Sequence, residues 1–434
     1  MHKSGDSVSF WAAVAMGIGA MVGAGIFSLL GQAGQIAGSA VWISFMLGGG
    51  IALLSGYSIG RLGARFPSSG GLVEYLVQGY GAGLFSGTIS VLMYISSLVS
   101  ISLIARTFGT YAYTLLPAGL PNIMVEVMAA GIILLFMFVN LRGPGSMAST
   151  EKIVVLVKMV ALSVFAIGGL VTMDPARLST GGYPPVDRIF FSLAITFFAY
   201  EGFRIITNAA EDMPNPAKTL PRAIITSILI VMVLYVAVAL AVFGNLGTAE
   251  VIKAEDYALA EAASPIFGAA GFTIMALAAL VSTSSAINAS LYSATNVTYQ
   301  LAKIGDLPAA FGKPISHSRQ GLVVSSALVI VMAVFFDLSS IAAIGAISTL
   351  AIHMIVHIGH LKVRAKTGAS LGLVLLAVAV NFGAIVLSAI YLSGKQPSIF
   401  IWIIGAFALA FLIELGMRKT TGRVITTRTP PKAP

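Results

Sequence analysis

The chain has 434 residues, of which 57% are hydrophobic and 9% charged, and its mean hydropathy is +0.95. Soluble domains carry about 25% charged residues, so this chain lacks the polar surface of a water-soluble globule and is expected to be a polytopic membrane protein. The net charge of +9 is the usual excess of Lys and Arg on cytoplasmic loops rather than a nucleic-acid footprint, and the lack of cysteine excludes disulfides, thiolate nucleophiles and Cys-ligated metals.

Long apolar runs mark the spans in chain order. They are residues 7–60, split by the glycines between 31 and 38, then 75–105, 127–141, 153–173 around Lys158, and 189–210 around Glu201 and Arg204. Beyond these come 223–249, 262–302, 321–336, 338–361, 367–394 and 396–413. Each is near or above the ~20 residues that cross a ~30 Å hydrocarbon core. A transmembrane β-barrel would show short alternating segments instead. The expected architecture is an all-α polytopic membrane protein of twelve transmembrane helices.

With the N-terminus inside, the outer loops hold Arg177, Arg188, Lys253 and Lys395. The other loop cations fall inside, from Lys3, Arg61 and Arg65 to Arg418 and the basic tail. This is the positive-inside asymmetry. The acidic outer loop with Glu250, Glu255, Asp256 and Glu261 agrees with it. Both termini are therefore expected to be cytoplasmic.

The first span contains Gly17, Gly19, Gly23 and Gly25. Such glycines either let helices pack closely or break the helix and free backbone groups for a ligand. The sixth span carries Glu201 and Arg204. Each charge at bilayer depth costs at least ~2.5 kcal/mol, and the i,i+3 spacing allows a local pair. A cavity position or a part in substrate or proton binding is the other reading. Two interrupted helices five spans apart point to an inverted-repeat transporter. Free N–H groups at a half-helix N-terminus suit a carboxylate, and freed carbonyls suit an ammonium, so a zwitterion fits such a site.

The segments Gly23-Ala24-Gly25-Ile26-Phe27, Phe198-Ala199-Tyr200-Glu201-Gly202-Phe203 and 208–222 together resemble the amino acid–polyamine–organocation family, and within it the prokaryotic proton-dependent amino acid transporters with the LeuT-type fold. The resemblance implies a 5+5 inverted-repeat core with repeats at 9–173 and 188–361, two C-terminal helices at 367–417, and cytoplasmic ends at 1–8 and 418–434. It implies that Ala24, Gly25 and Ile26 offer backbone N–H groups to the substrate carboxylate, at the Gly23 break, while Ile18 and Met21 offer carbonyls to its amine. Phe198, Ala199 and Glu201 would add carbonyls, and Phe197 or Tyr200 would shape or gate the pocket. Glu201 departs from the apolar residue often found there in close relatives.

Lys158 is a lone cation within the fifth span. It either snorkels to the interface or lies buried and titrates in a useful range. The resemblance implies the second, with the ammonium standing where sodium-driven members hold their ion. Its expected neighbours are the Gly19 carbonyl and the hydroxyls of Ser282, Thr283 or Ser285. His353, His357 and His360 share one face of the tenth span. A metal site would need further ligands, so interfacial or packing roles are expected, with a proton relay as the rarer reading. Arg106 is expected to reach the outer vestibule.

No His-Glu-x-x-His, P-loop or Gly-x-Ser-x-Gly pattern occurs, which argues against an enzyme and against ATP-driven transport. The resemblance implies proton-coupled symport of amino acids, neutral L-amino acids over a broad range, in the prokaryotic inner membrane. The proton is the coupling ion, with no metal cofactor, and the protein would act as a monomer or homodimer. The alternative is an amino acid/polyamine exchanger of the same fold in which Glu201 recognises a cationic substrate.

Overall fold

The computed structural model describes residues 7–68, 70–117, 119–142, 147–304, 307–316 and 318–421. Lys3, Asp6 and the basic tail from Arg423 lie outside them. Within the described residues the protein is almost wholly helical, apart from a two-residue antiparallel ladder pairing Pro314 with Arg319 and Ile315 with Ser318.

The chain starts with α1 (Phe10–Met21), α2 (Ala24–Phe27), α3 (Leu29–Ala37) and α4 (Val41–Arg65). The Ser9 hydroxyl accepts the Ala12 N–H at 3.3 Å and so caps α1. The turn between the first two spans falls at Gly38, φ 54°. Gly31, expected in that turn, lies inside α3, where a Cβ would collide with the Glu255 carbonyl.

Next come α5 (Leu72–Tyr80), α6 (Leu84–Thr114), α7 (Ile123–Leu141) and α8 (Met147–Thr172). The run 75–105, read as one span, is thus divided at Gly81, φ 80°. The sixth span is α9 (Val186–Phe191) and α10 (Leu193–Phe198), continued by a 3-10 helix over Glu201–Asp212. Then follow α11 (Pro216–Asn245), α12 (Thr248–Ala254), α13 (Ala258–Phe267) and α14 (Ala269–Ile304). The last helices are α15 (Gln320–Phe335), α16 (Leu338–Thr367), α17 (Leu371–Lys395) and α18 (Ile399–Thr421).

Eleven helical stretches among the described residues are long and apolar enough to cross a membrane. The ninth expected span, α15, is the shorter apolar helix of 16 residues, about 24 Å long. Outward faces of α7, α8 and α18 are apolar, with Leu135, Phe138, Ile153, Val164, Ile401 and Leu412 exposed. That belt is what contact with lipid requires.

The helices pack in a pattern that repeats. α1 lies on α11 as α10 lies on α4, α8 lies on α11 as α16 lies on α4, and α14 lies on α8 as α6 lies on α16. α4 and α11 pack against each other, as do α7 and α15. Exchanging each of the first five spans for the one five later leaves these pairs unchanged. The arrangement encloses the ends of α1 and α10 at its centre.

Candidate functional site

The first span is interrupted at Val22-Gly23. Val22 closes α1 by donating to the Ile18 carbonyl at 2.8 Å, Gly23 donates back to Met21 at 2.9 Å, and α2 begins at Ala24. The N–H groups of Ala24, Gly25 and Ile26 open that helix and have no carbonyl four residues back within it. The sixth span changes winding rather than unravelling. Ala199 still donates to Ile195, whereas Tyr200 donates to Phe197 and Phe203 to Tyr200 in 3-10 register.

The two irregular places touch. A Cβ on Gly25 would lie 2.7 Å from the Ala199 oxygen, and one on Gly202 would strike the Ala20–Met21 peptide. Tyr235 of α11, fully buried, donates its hydroxyl proton to the Met21 carbonyl at 2.7 Å and lies 3.4 Å from the Ala199 carbonyl. Tyr235 was not singled out from the sequence. A lone phenol within the run 223–249 was its only signal.

Around this junction lies a cavity of about 770 Å³, part of it open to solvent. Met21 and Gly25 line it from the first span, and Phe198, Ala199, Glu201 and Arg204 from the sixth. Ser97 and Ser100 of α6 and Ser290 and Ser293 of α14 add hydroxyls, and Ile101 and Ile104 an apolar wall. Each serine pair is spaced i,i+3, which puts both members on one helix face. Ile18, Gly23, Ile26, Phe197 and Tyr200 are not among the lining residues.

The two aromatics pack elsewhere. Phe197 packs edge-on to His353 with ring centroids 5.3 Å apart, and the Tyr200 hydroxyl donates to the Phe45 carbonyl at 2.9 Å. Successive helical residues point about 100° apart, so presenting Phe198 to the cavity turns its neighbour away.

Glu201 and Arg204 form the i,i+3 ion pair through Nε, and Arg204 Nη2 donates to Ser97 Oγ at 3.2 Å. The second Glu201 oxygen lies 3.1 Å from His353 Nε2. Its carboxylate is therefore engaged on both sides. His357 and His360, on the same face of α16, meet hydroxyls of α4. No group of three His, Asp or Glu able to hold a metal occurs among the described residues.

Lys158 is 1% exposed, and its Nζ donates to the Gly19 carbonyl at 2.6 Å. Burial excludes snorkelling. Ser282 Oγ donates to the Val22 carbonyl at 2.8 Å, so α14 reaches the same break. Thr283 instead donates to the Ala279 carbonyl of its own helix at 2.7 Å. Asn288 accepts from Asn140 at 2.8 Å. Arg106 is held by Glu126 and the Ala333 carbonyl, each at 2.8 Å.

The far side of α3 is closed by the segment after α12. Gln32 Nε2 donates to Glu255 at 2.8 Å and to Asp256 at 2.9 Å. Glu255 has φ 32°, a left-handed conformation that favours glycine. Burial, and then the Glu255 carboxylate, push the Asp256 carboxyl up to about 6, and burial raises Glu255 as well.

The amino acid permease family profile matches residues 8–415. The chain is 36% identical to an uncharacterized protein of Methanocaldococcus jannaschii over 98% of both chains. It is 34% identical to the inner membrane transport protein YbaT of Escherichia coli over 96% of this chain and 98% of that one. The serine/threonine exchanger SteT of Bacillus subtilis is 26% identical over 70% of this chain and 69% of its own. With its all-α polytopic fold and its cavity at two irregular helices, the chain belongs to the amino acid permease family of integral membrane transporters.

Proposed function

We propose that this protein is a proton-coupled symporter of neutral L-amino acids in the inner membrane, with both termini cytoplasmic. The observation that carries the reading is the buried Lys158 ammonium on the Gly19 carbonyl, one turn ahead of the break in the first span. A charged hydrogen bond is roughly twice as strong as a neutral one. Loss of the proton weakens the tie between α8 and α1, and reprotonation restores it. The protonation state thus biases two arrangements of the same helices. The coupling ion is the proton, and no metal is required.

The substrate carboxylate is placed at the N–H groups of Ala24, Gly25 and Ile26. The amine is placed toward carbonyls of the sixth span at Phe198, Ala199 and Glu201. Met21 and Ile18 carry less of the amine than the resemblance implies, since the Met21 carbonyl accepts from Tyr235 and Gly23 and the Ile18 carbonyl from Val22. Arg204 neutralises Glu201, so the cavity offers a second ammonium no free carboxylate. This favours neutral substrates over the cationic exchanger reading, and the serine and threonine of SteT's name are of that class. The repeating helix pairs support an inverted repeat at 9–173 and 188–361 with 367–417 appended.

The test is uptake of radiolabelled neutral L-amino acids into proteoliposomes under an imposed inside-alkaline gradient without sodium. Accumulation that a protonophore abolishes is expected. Accumulation that follows a sodium gradient regardless of pH would overturn the reading.

A further inference from the structure

We propose that Glu201, His353, His357, Ser58, His360 and Thr367 form a proton conduit from the cavity to the C-terminal end of α16. The proposal rests on the proton-coupled reading above and adds to it a route built on α16 and α4.

The route starts at the cavity wall. His353 is fully buried, neither of its ring nitrogens has a hydrogen bond, and its Nε2 lies 3.1 Å from Glu201 Oε2. A buried ring whose nitrogens make no hydrogen bond is costly. Packing alone would place an apolar residue between Phe197 and Phe203, whose rings flank His353 edge-on. A ring that exchanges a proton with the carboxylate beside it accounts for the histidine.

Beyond it, the hydrogen bonds fix their own direction. Thr367 has one hydroxyl proton and donates it to the Arg364 carbonyl at 3.0 Å. Its contact with His360 Nε2, at 2.8 Å, must then be a donation from the ring. In the neutral ring, His360 Nδ1 is the acceptor, so Ser58 donates to it at 2.8 Å. Ser58 in turn accepts from His357 Nδ1 at 2.9 Å. His357 Nε2 is then the acceptor of the Ser55 hydroxyl at 3.1 Å. Every donor from Ser55 to Thr367 points the same way.

Once the Ser55 hydroxyl turns off His357 Nε2, a proton delivered there releases the one on Nδ1 to Ser58 as the Ser58 proton passes to His360 Nδ1. The His360 Nε2 proton then moves to Thr367 as the Thr367 proton swings from the Arg364 carbonyl to solvent water at the end of α16. One proton enters, one leaves, and each ring ends as its other tautomer until side-chain rotation resets the file. The step from His353 to His357 crosses rings 6.0 Å apart. Turning the His353 ring to make that step gives up its 3.1 Å approach to Glu201.

Few charges compete along the way among the described residues. The ionisable groups facing His357 are His353 and His360. Arg204 faces Glu201 from the 3-10 helix, and α17 contributes only the neutral Asn381, on Ser55. From α5, Tyr80 donates to the Ile355 carbonyl with Lys362 over its ring. At the exit Arg364 donates to the Ala369 carbonyl, and Arg61 of α4 lies over Tyr57. From α6, Ser96 meets Thr349, and on α18 Glu414 is paired with Arg418. Buried chains of acidic and histidine side chains are the usual proton routes of membrane transporters.

The test uses proteoliposomes loaded with a pH-sensitive dye. A mixture of neutral L-amino acids is added outside, and His360→Gln and Ser58→Ala are compared with the wild type. Each variant keeps hydrogen bonds or shape but cannot pass a proton. The expected result is internal acidification slowed by about 10-fold or more. Radiolabel exchange with the same amino acids on both sides, which needs no net proton movement, stays near the wild-type rate. Acidification at the wild-type rate in both variants would overturn the conduit while leaving proton coupling intact. A wild type that takes up substrate without acidification would remove both. Should the variants not fold, the wild type still decides, because the conduit requires net uptake to slow in D2O more than exchange does. Equal slowing would overturn it.

Discussion

The Tyr235 hydroxyl donates to the Met21 carbonyl at 2.7 Å, at the last residue of α1 before the chain breaks. The same oxygen is 3.4 Å from the Ala199 carbonyl, so one side chain of α11 stands at both irregular helices. Tyr235→Phe keeps the ring and leaves the Met21 carbonyl with one donor fewer. A stability loss of about 1 kcal/mol is expected, together with weaker amino acid binding, read as a smaller ligand-induced rise in melting temperature in detergent. An unchanged ligand-induced rise would show that the hydroxyl does not hold the break in its binding form.

Gly202 packs the sixth span directly against the backbone of the first. A Cβ there has backbone, not a flexible side chain, in its way. Gly202→Ala is expected to cost about 1–3 kcal/mol and to abolish uptake. A glycine of the second span that meets nothing, Gly50 of α4, provides the control. Gly50→Ala is expected to transport like the wild type.

Acidity should also act on the segment after α12. Asp256 is raised from 3.8 to about 6, so between those values the folded protein binds more protons than the unfolded chain. This group's contribution is therefore fully present on the acid side and is lost as pH rises through about 6. Asp256→Asn retains an oxygen for Gln32 but cannot ionise. It is expected to flatten the fall in melting temperature between about pH 5 and pH 7 and to raise it at neutral pH. A pH profile identical to the wild type would contradict this.

The features legible in the sequence were those that are costly in lipid. Lys158, the Glu201–Arg204 pair and the glycines before Phe27 stand out because each needs a reason to exist in an apolar run. The structure places Lys158 on Gly19 and pairs Glu201 with Arg204. Facing was not legible. Whether Phe197 or Phe198 looks into the cavity depends on where α-helical winding gives way to 3-10, and nothing in the sequence marks that residue. Tyr235 and the serines at 97, 100, 290 and 293 are ordinary residues that only packing brings to the cavity. The meeting of Glu201 with His353 joins helices 152 positions apart in the chain, a relation no local pattern carries.

The most direct measurement is uptake by Lys158→Ala in proteoliposomes as a function of an imposed proton gradient, with binding checked by melting in the presence of amino acids. Binding is expected to survive in this variant, and the dependence of uptake on the gradient to disappear. Uptake that still rises with the gradient in this variant would contradict the coupling role of Lys158.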